Sequence, residues 1–192
     1  AGYGQMGAVE DVPTRRMHKQ FDVNVYGPHR LVRAVLPHMR EREAGTIVNV
    51  SSVVGRVSTP GQGVYAASKF ALEALSDALR GEVEPHGIDV ALIEPGPVDT
   101  EFGERASEEL EPVGASGAYD RVYRFLDGFD TVSGGFATSA PEDVAAAILE
   151  AASTTRPAAR YPVGPAAKAM SLARYLPDRL RDRVVNTLYD LA

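Results

Sequence analysis

Tyr65 and Lys69 stand four residues apart. In a helix this spacing puts both side chains on one face, about one turn apart, and that geometry has a chemical use. A free phenol titrates near pH 10 and is a poor base at neutrality, but an ammonium a few ångströms away favours the phenolate. The pair can then exchange a proton with an alcohol or a carbonyl. By itself the spacing is equally that of an ordinary helix-surface pair, so its meaning depends on the neighbours. Ser52 lies thirteen residues before Tyr65, at the end of the β-branched run Thr46 to Ser51, which puts a hydroxyl at the carboxyl end of a strand facing the start of the next helix. Ser51 is the rival for that role, and the thirteen-residue spacing favours Ser52. Pro95-Gly96-Pro97-Val98-Asp99-Thr100 closes the next apolar run, and its backbone groups and the Thr100 hydroxyl suit a planar amide. In open α/β sheets ligands bind at the carboxyl ends of strands, so the three segments point at one crevice.

Several elements must position these residues. Met17, Phe21, Val25, Val32, Val35, Leu36 and Met39 recur at helical spacing and predict a long amphipathic helix from Asp11 to about Arg42, with Asp11 as N-cap and a kink at Pro28 or Pro37. Thr46–Ser51 and Ile88–Glu94 read as buried strands. Between them a helix runs from about Val64 to Glu84 and ends at Pro85 and Gly87. Residues 101–138 form a long segment with a short helical pattern around Tyr119–Leu126; segments this long are commonly lids. Ser139-Ala140-Pro141-Glu142 predicts a capping box opening a helix to about Ser153. A last short strand at Tyr161–Val163 and helices over 167–176 and 177–191 follow. This alternation predicts a doubly wound, Rossmann-like parallel sheet of about three strands flanked by helices, in one domain spanning residues 1–192.

Composition narrows the classes. With 192 residues, 44% hydrophobic and 24% charged, the chain can build a substantial core. Its longest apolar runs are about six residues, so neither a membrane span nor a secretion signal is expected, and a cytoplasmic location is. The absence of Cys removes disulfides and thiolate chemistry. A net charge of −6 gives no basic footprint for nucleic acid. His18 and His29, eleven residues apart on one helix, are about 16 Å apart and too distant to share a metal, so no metal is expected.

Taken together these motifs resemble the short-chain dehydrogenase/reductase family. Tyr65-Ala66-Ala67-Ser68-Lys69 looks like its Tyr-x-x-x-Lys motif, and Ile47 to Ser52 like its serine-bearing strand. Phe21 to Gly27 looks like its Asn-x-x-Gly helix segment, and Pro95-Gly96 with Thr100 like its nicotinamide-side loop. Ala1-Gly2 looks like the tail of its Asn-Asn-Ala-Gly motif. The match covers about residues 1–105, and the tail more loosely resembles the steroid- and retinol-dehydrogenase branch. The resemblance implies hydride transfer between NAD or NADP and a secondary alcohol or ketone. Tyr65 would be the general acid/base, and Lys69 would tune it and hold the nicotinamide ribose. Ser52 would bind the substrate oxygen, and Asn24 would hold a relay water. Ala1, Gly2, Pro95, Gly96, Val98 and Thr100 would join Asn24, Tyr65 and Lys69 around the cofactor. It also implies a homodimer or homotetramer through helical faces.

The departure from that family is equally visible. No G-x-x-x-G-x-G turn occurs, since Gly2, Gly4 and Gly7 follow no strand, so the pyrophosphate-binding part, roughly 80 residues at about 30 per βα unit, is expected to be missing. The chain is therefore expected to be the C-terminal part of such an enzyme, inactive alone. A non-catalytic fragment or interaction module is the alternative. Tyr119, Tyr123, Phe125, Phe129 and Phe136 cluster in the segment that would cover the site, and form either a satellite core or a lid for an apolar substrate.

Overall fold

The computed structural model describes residues 2–108, 116–133 and 138–191. Its centre is a parallel sheet in which β1 (Gly45–Val50), β2 (Ile88–Pro95) and β3 (Arg160–Val163) lie in that order. Gly45 is opposite Ile88 in one register and Leu92 opposite Arg160 in the other. Side chains alternate across a strand, and the two faces take different helices. On one face Ile47, Ile88 and Val90 pack with Val83, Val32, Leu36, Met39 and Leu79. On the other, Val48, Ala91, Ile93 and Val163 pack with Val144, Ala147, Ile148 and Ala151. The central strand, β2, is buried almost throughout, which is why its sequence is a continuous apolar run rather than an alternating one. Among the described residues β1 pairs on one side only, and Val50 at its end is 43% exposed.

The helices that supply the first face are α2 (Gly27–Arg42) and α3 (Gly63–Val83), and α1 (Thr14–Phe21) packs against α3. The expected single helix from Asp11 differs in two ways. It starts at Thr14 behind Pro13, because the Asp11 carboxylate instead accepts from the Tyr123 hydroxyl at 2.8 Å and from the Ser116 amide at 3.2 Å. Its break is not at a proline: a π-turn over Asp22–Tyr26 separates α1 from α2, and α2 continues through Pro37. Such π-turns concentrate at functional sites, and this one contains Asn24.

Beyond β2 lie α4 (Phe102–Glu108), α5 (Asp120–Ser133), α6 (Pro141–Ser153), α7 (Pro165–Ala173) and α8 (Asp178–Leu191). The expected capping box is displaced by one residue. Ala140 is the N-cap of α6, and its amide donates to the Asp143 carboxylate at 3.1 Å. Ser139 is buried instead, paired with Val98: the Ser139 amide donates to Pro97 O at 2.9 Å and the Asp99 amide to Ser139 O at 3.1 Å. A sheet partner outcompetes the cap and fastens the loop after β2.

Two glycines near the end of α3 differ in what they do. Gly87 turns the chain into β2 at φ +66°, and a Cβ there would come within 2.4 Å of Glu43 O. Gly81 lies exposed inside α3 with nothing near its Cβ position. Gly87→Ala is expected to destabilise the fold by about 1–3 kcal/mol. Gly81→Ala should stabilise it by roughly 0.5–1 kcal/mol. Urea unfolding of both variants checks the pair, and equal effects would contradict this backbone argument.

Candidate functional site

Helix α3 carries Tyr65 and Lys69 in its first two turns, both buried. The strand β1 delivers Ser52 to them: Ser52 caps a short 3₁₀ turn at Val53–Gly55, accepting from the Val54 amide at 3.4 Å and donating to Pro95 O at 3.4 Å. Ser52 also acts on the Tyr65 phenol, opposing the effect of its burial. Ser51 faces elsewhere; its amide donates to Ile93 O at 2.8 Å, and its hydroxyl lies against Gly55. The structure thus brings Ser52, not Ser51, to the phenol. Lys69 donates to Val50 O at 3.1 Å, with its nitrogen 5.7 Å from the Tyr65 ring centroid.

The electrostatics do not follow the simple expectation for such a pair. Burial pushes the Tyr65 phenol up to about 12, and the Ser52 hydrogen bond pulls it only part of the way back. Burial likewise brings Lys69 down to about 8, opposed by the nearby Glu73 carboxylate. The desolvation of both groups therefore outweighs the help the ammonium gives the phenolate. As it stands, the phenol is a proton donor at neutral pH rather than a base.

Asn24 is buried in the π-turn and clamps the segment that follows Gly2. Its Oδ1 accepts from the Tyr3 amide at 3.0 Å, and its Nδ2 donates to Tyr3 O at 2.9 Å and to Ser68 Oγ at 3.2 Å. Gln20, wholly buried one turn earlier, repeats the pattern. Its Oε1 accepts from the Gln5 amide at 2.6 Å, and its Nε2 donates to Tyr3 O at 2.5 Å and Ser68 Oγ at 3.3 Å. Ser68 donates in turn to Tyr65 O at 2.7 Å. Two amide side chains thus bind the edge of an extended segment as a neighbouring strand would, and Ser68 ties them to the helix that carries Tyr65 and Lys69. Sequence reasoning missed Gln20 and Ser68. The available signal was two amide residues four apart on a face otherwise apolar.

Of the residues tied to a cofactor by resemblance, Gly2, Tyr65, Lys69, Pro95, Gly96, Val98 and Thr100 line one cavity of about 700 Å³; Asn24 does not line it, and Ala1 lies outside the described residues. Thr100 Oγ accepts from the Phe102 amide at 3.3 Å, which starts α4 over the site. The Phe102 ring lies 5.6 Å from that of Tyr65, and its edge would meet a Cβ on Gly4 at 2.7 Å. The same cavity is lined by the apolar residues Val54, Phe125, Leu126, Val144, Met170 and Leu176.

The aromatic cluster divides. Phe125 lines the cavity, but the Tyr119 hydroxyl donates to Glu10 and the Tyr123 hydroxyl to Asp11, fastening α5 to the loop before α1. The carboxylates raise both phenols, with burial the leading cause at Tyr123. Phe136 and the Phe129 side chain lie outside the described residues. Among the described residues no three His, Asp or Glu side chains converge as a metal site, and no helix is long and apolar enough to cross a membrane.

A family model described as short chain dehydrogenase matches residues 1–111. The chain is 39% identical over 188 residues to the uncharacterized oxidoreductase YbbO of Escherichia coli (strain K12), covering 96% of this chain and 64% of that one. It is 38% identical over 164 residues to retinol dehydrogenase 8 of Homo sapiens, covering 83% and 53% respectively. A crystal structure of a short-chain dehydrogenase from Streptomyces avermitilis superposes with a TM-score of 0.74 at 33% identity, over 97% of this chain and 65% of that one. The chain therefore spans less than two thirds of the length of these relatives.

Proposed function

The chain belongs to the short-chain dehydrogenase family, and on that premise we propose that its cavity interconverts a secondary alcohol and a ketone with NAD or NADP. The observation that carries this reading is the convergence of Ser52, Tyr65 and Lys69 on the lining of one cavity, where Ser52 opposes the effect of burial on the Tyr65 phenol. The same lining fits a nicotinamide: Lys69 has three N–H donors, of which one goes to Val50 O, and Gly2, Pro95, Gly96, Val98 and Thr100 offer backbone and hydroxyl groups to a planar amide and ribose. Hydride transfer is the chemistry that the cofactor supplies.

The protein's own part is proton transfer and positioning. A carbonyl oxygen in the cavity accepts hydrogen bonds from Ser52 and Tyr65. As negative charge grows on that oxygen, Tyr65 gives up its proton, for which a neutral phenol is suited. The Lys69 ammonium then steadies the phenolate that remains. Asn24 enters through the π-turn: its amide fixes the Tyr3–Gln5 segment beside the cavity, and a water held at that turn as a relay to Lys69 is part of the proposal. Apolar residues left exposed on α2 (Leu31, Val35) and α3 (Phe70, Leu75) suit pairing of these helices with a second copy.

Four outcomes follow. In the full-length protein supplied with NADH or NADPH, Tyr65→Phe should lower the turnover of ketone reduction at least about a hundredfold, as general acids contribute about 10² to 10⁴. The wild-type rate should be level at neutral pH and fall as pH rises through the Lys69 value of about 8, because the ammonium is lost there while the phenol, at about 12, keeps its proton. A rate that instead climbs through pH 8 would reverse the role given to Lys69. Bulky apolar ketones should show a higher kcat/KM than sugars or hydroxy acids, and the opposite ranking would refute the apolar wall as substrate site. Light scattering should give twice the chain mass or a higher multiple, and a monomer would contradict the helical pairing.

A further inference from the structure

One helical turn beyond Lys69, α3 carries a second buried charge. Glu73 is 5% exposed, and its Oε2 meets Arg160 of β3 at 3.0 Å and Arg56, from the turn after β1, at 4.0 Å. Glu94 of β2, 2% exposed, meets the same two arginines at 3.3 and 3.1 Å. A turn further along α3, Asp77 takes Arg160 and Arg80, each at 2.7 Å. The cluster joins α3 to the sheet. Buried ion pairs of this kind seldom raise stability over an apolar replacement, so the retention of so many calls for another reason.

Charge and geometry supply one. Glu73 and Glu94 balance Arg56 and Arg160, and Asp77 balances Arg80, so Lys69 is the excess cation at the border of a cluster otherwise neutral. The arginines do not saturate Glu73: its Oε1 is buried and has no hydrogen-bond partner among the described residues. Gly55 packs between the two side chains, for a Cβ there would lie 3.1 Å from Glu73 Cγ and 3.2 Å from Lys69 Cβ.

We infer that Glu73 is a positioning residue for Lys69: anchored by Arg56 and Arg160, its carboxylate keeps the buried lysine charged beside Tyr65. The groups facing Lys69 are Tyr65 and Glu73 on α3, with Arg56 after β1, Glu94 on β2 and Arg160 on β3 behind them. Burial pulls Lys69 down, and Glu73 is the group that holds it up. With Gln at position 73, burial and two arginines would act on the ammonium with only the more distant Glu94 against them. The consequence for turnover rests on the reading of Tyr65 and Lys69 given above, whereas the hold on the lysine does not depend on the reaction.

The chain has only three lysines, Lys19, Lys69 and Lys168, so side-chain NMR of lysine labelled at Nζ and Cε follows Lys69 directly, with Lys69→Arg as the assignment. Glu73→Gln should lower its midpoint by at least about one pH unit. Glu73→Asp should keep most of the wild-type value, and Glu94→Gln should move it less than half as far as Glu73→Gln. An unmoved Lys69 midpoint in folded Glu73→Gln, or an equal shift in Glu94→Gln, overturns the inference. Should Glu73→Gln not fold, the wild-type carboxyl carbon of Glu73 must show a step at the Lys69 midpoint, and its absence overturns the inference as well. In the full-length protein the pH at which ketone reduction falls should drop with the Lys69 midpoint. If the midpoint moves but Tyr65→Phe keeps its turnover, the proposed reaction fails while the role of Glu73 stands.

Discussion

On the proposed reaction an ammonium has to be buried at position 69 without losing its charge, and Glu73, Arg56 and Arg160 are arranged around that constraint. A lysine 7% exposed in an apolar setting tends toward neutrality, and only a partner that is itself fixed can hold its proton. Glu73 is fixed because Arg56 and Arg160 grip it, and those arginines are placed by the turn after β1 and by β3. Hence a sheet of three strands is needed to define the environment of one nitrogen. Val50 O, at the carboxyl end of β1, sets its direction.

A second constraint acts from the other side of α3. The segment Tyr3–Gln5 must run beside the cavity with its backbone groups bonded, although among the described residues no strand pairs with it. Asn24 and Gln20 take the place of a strand, since each amide offers one acceptor and one donor group spaced like a peptide. Four apart on one helical face, the two amides reach one segment, and the π-turn at Asp22–Tyr26 carries the second of them. Ser68 completes the link to the turn of α3 that bears Tyr65, so the backbone wall and the reactive side chains are positioned by one hydrogen-bonded network.

The legibility of this arrangement in the sequence followed interaction range. The strands were visible because β-branched runs make their own case, and Tyr65 and Lys69 were visible because helical spacing is local. Ser52 over Ser51 was also readable, from its thirteen-residue spacing to Tyr65 together with the resemblance to the family's serine-bearing strand. The π-turn was not: prolines gave the nearest local signal for a break, while the turn's Asn24 is bonded to Tyr3, twenty-one residues away. Asp11 looked like a helix cap because the first residues of a helix are a local matter. It serves instead to receive Tyr123 and Ser116 from more than a hundred residues on. Ser139 likewise reads as a cap until β2 offers its following loop as a partner. The ionic cluster at Glu73 was illegible for the same reason, since Arg56, Glu94 and Arg160 carry no mark in sequence of belonging together.

The sign of the Tyr65 shift shows how the cavity and the chemistry constrain each other. An apolar wall suited to a bulky substrate withdraws water from the phenol and the ammonium alike, pushing one up and the other down, toward a neutral pair with no polarising power. A more polar cavity would relieve both shifts and lose the apolar substrate. The structure keeps the apolar wall and corrects each group separately, with a hydroxyl from Ser52 on the phenol and a carboxylate from Glu73 on the ammonium. The two corrections come from opposite directions, one from the loop that ends β1 and one from within α3. On the proposed reaction, substrate preference can therefore drift with Phe125, Leu126 and Met170 while Ser52 and Glu73 keep Tyr65 and Lys69 in the states assigned to them.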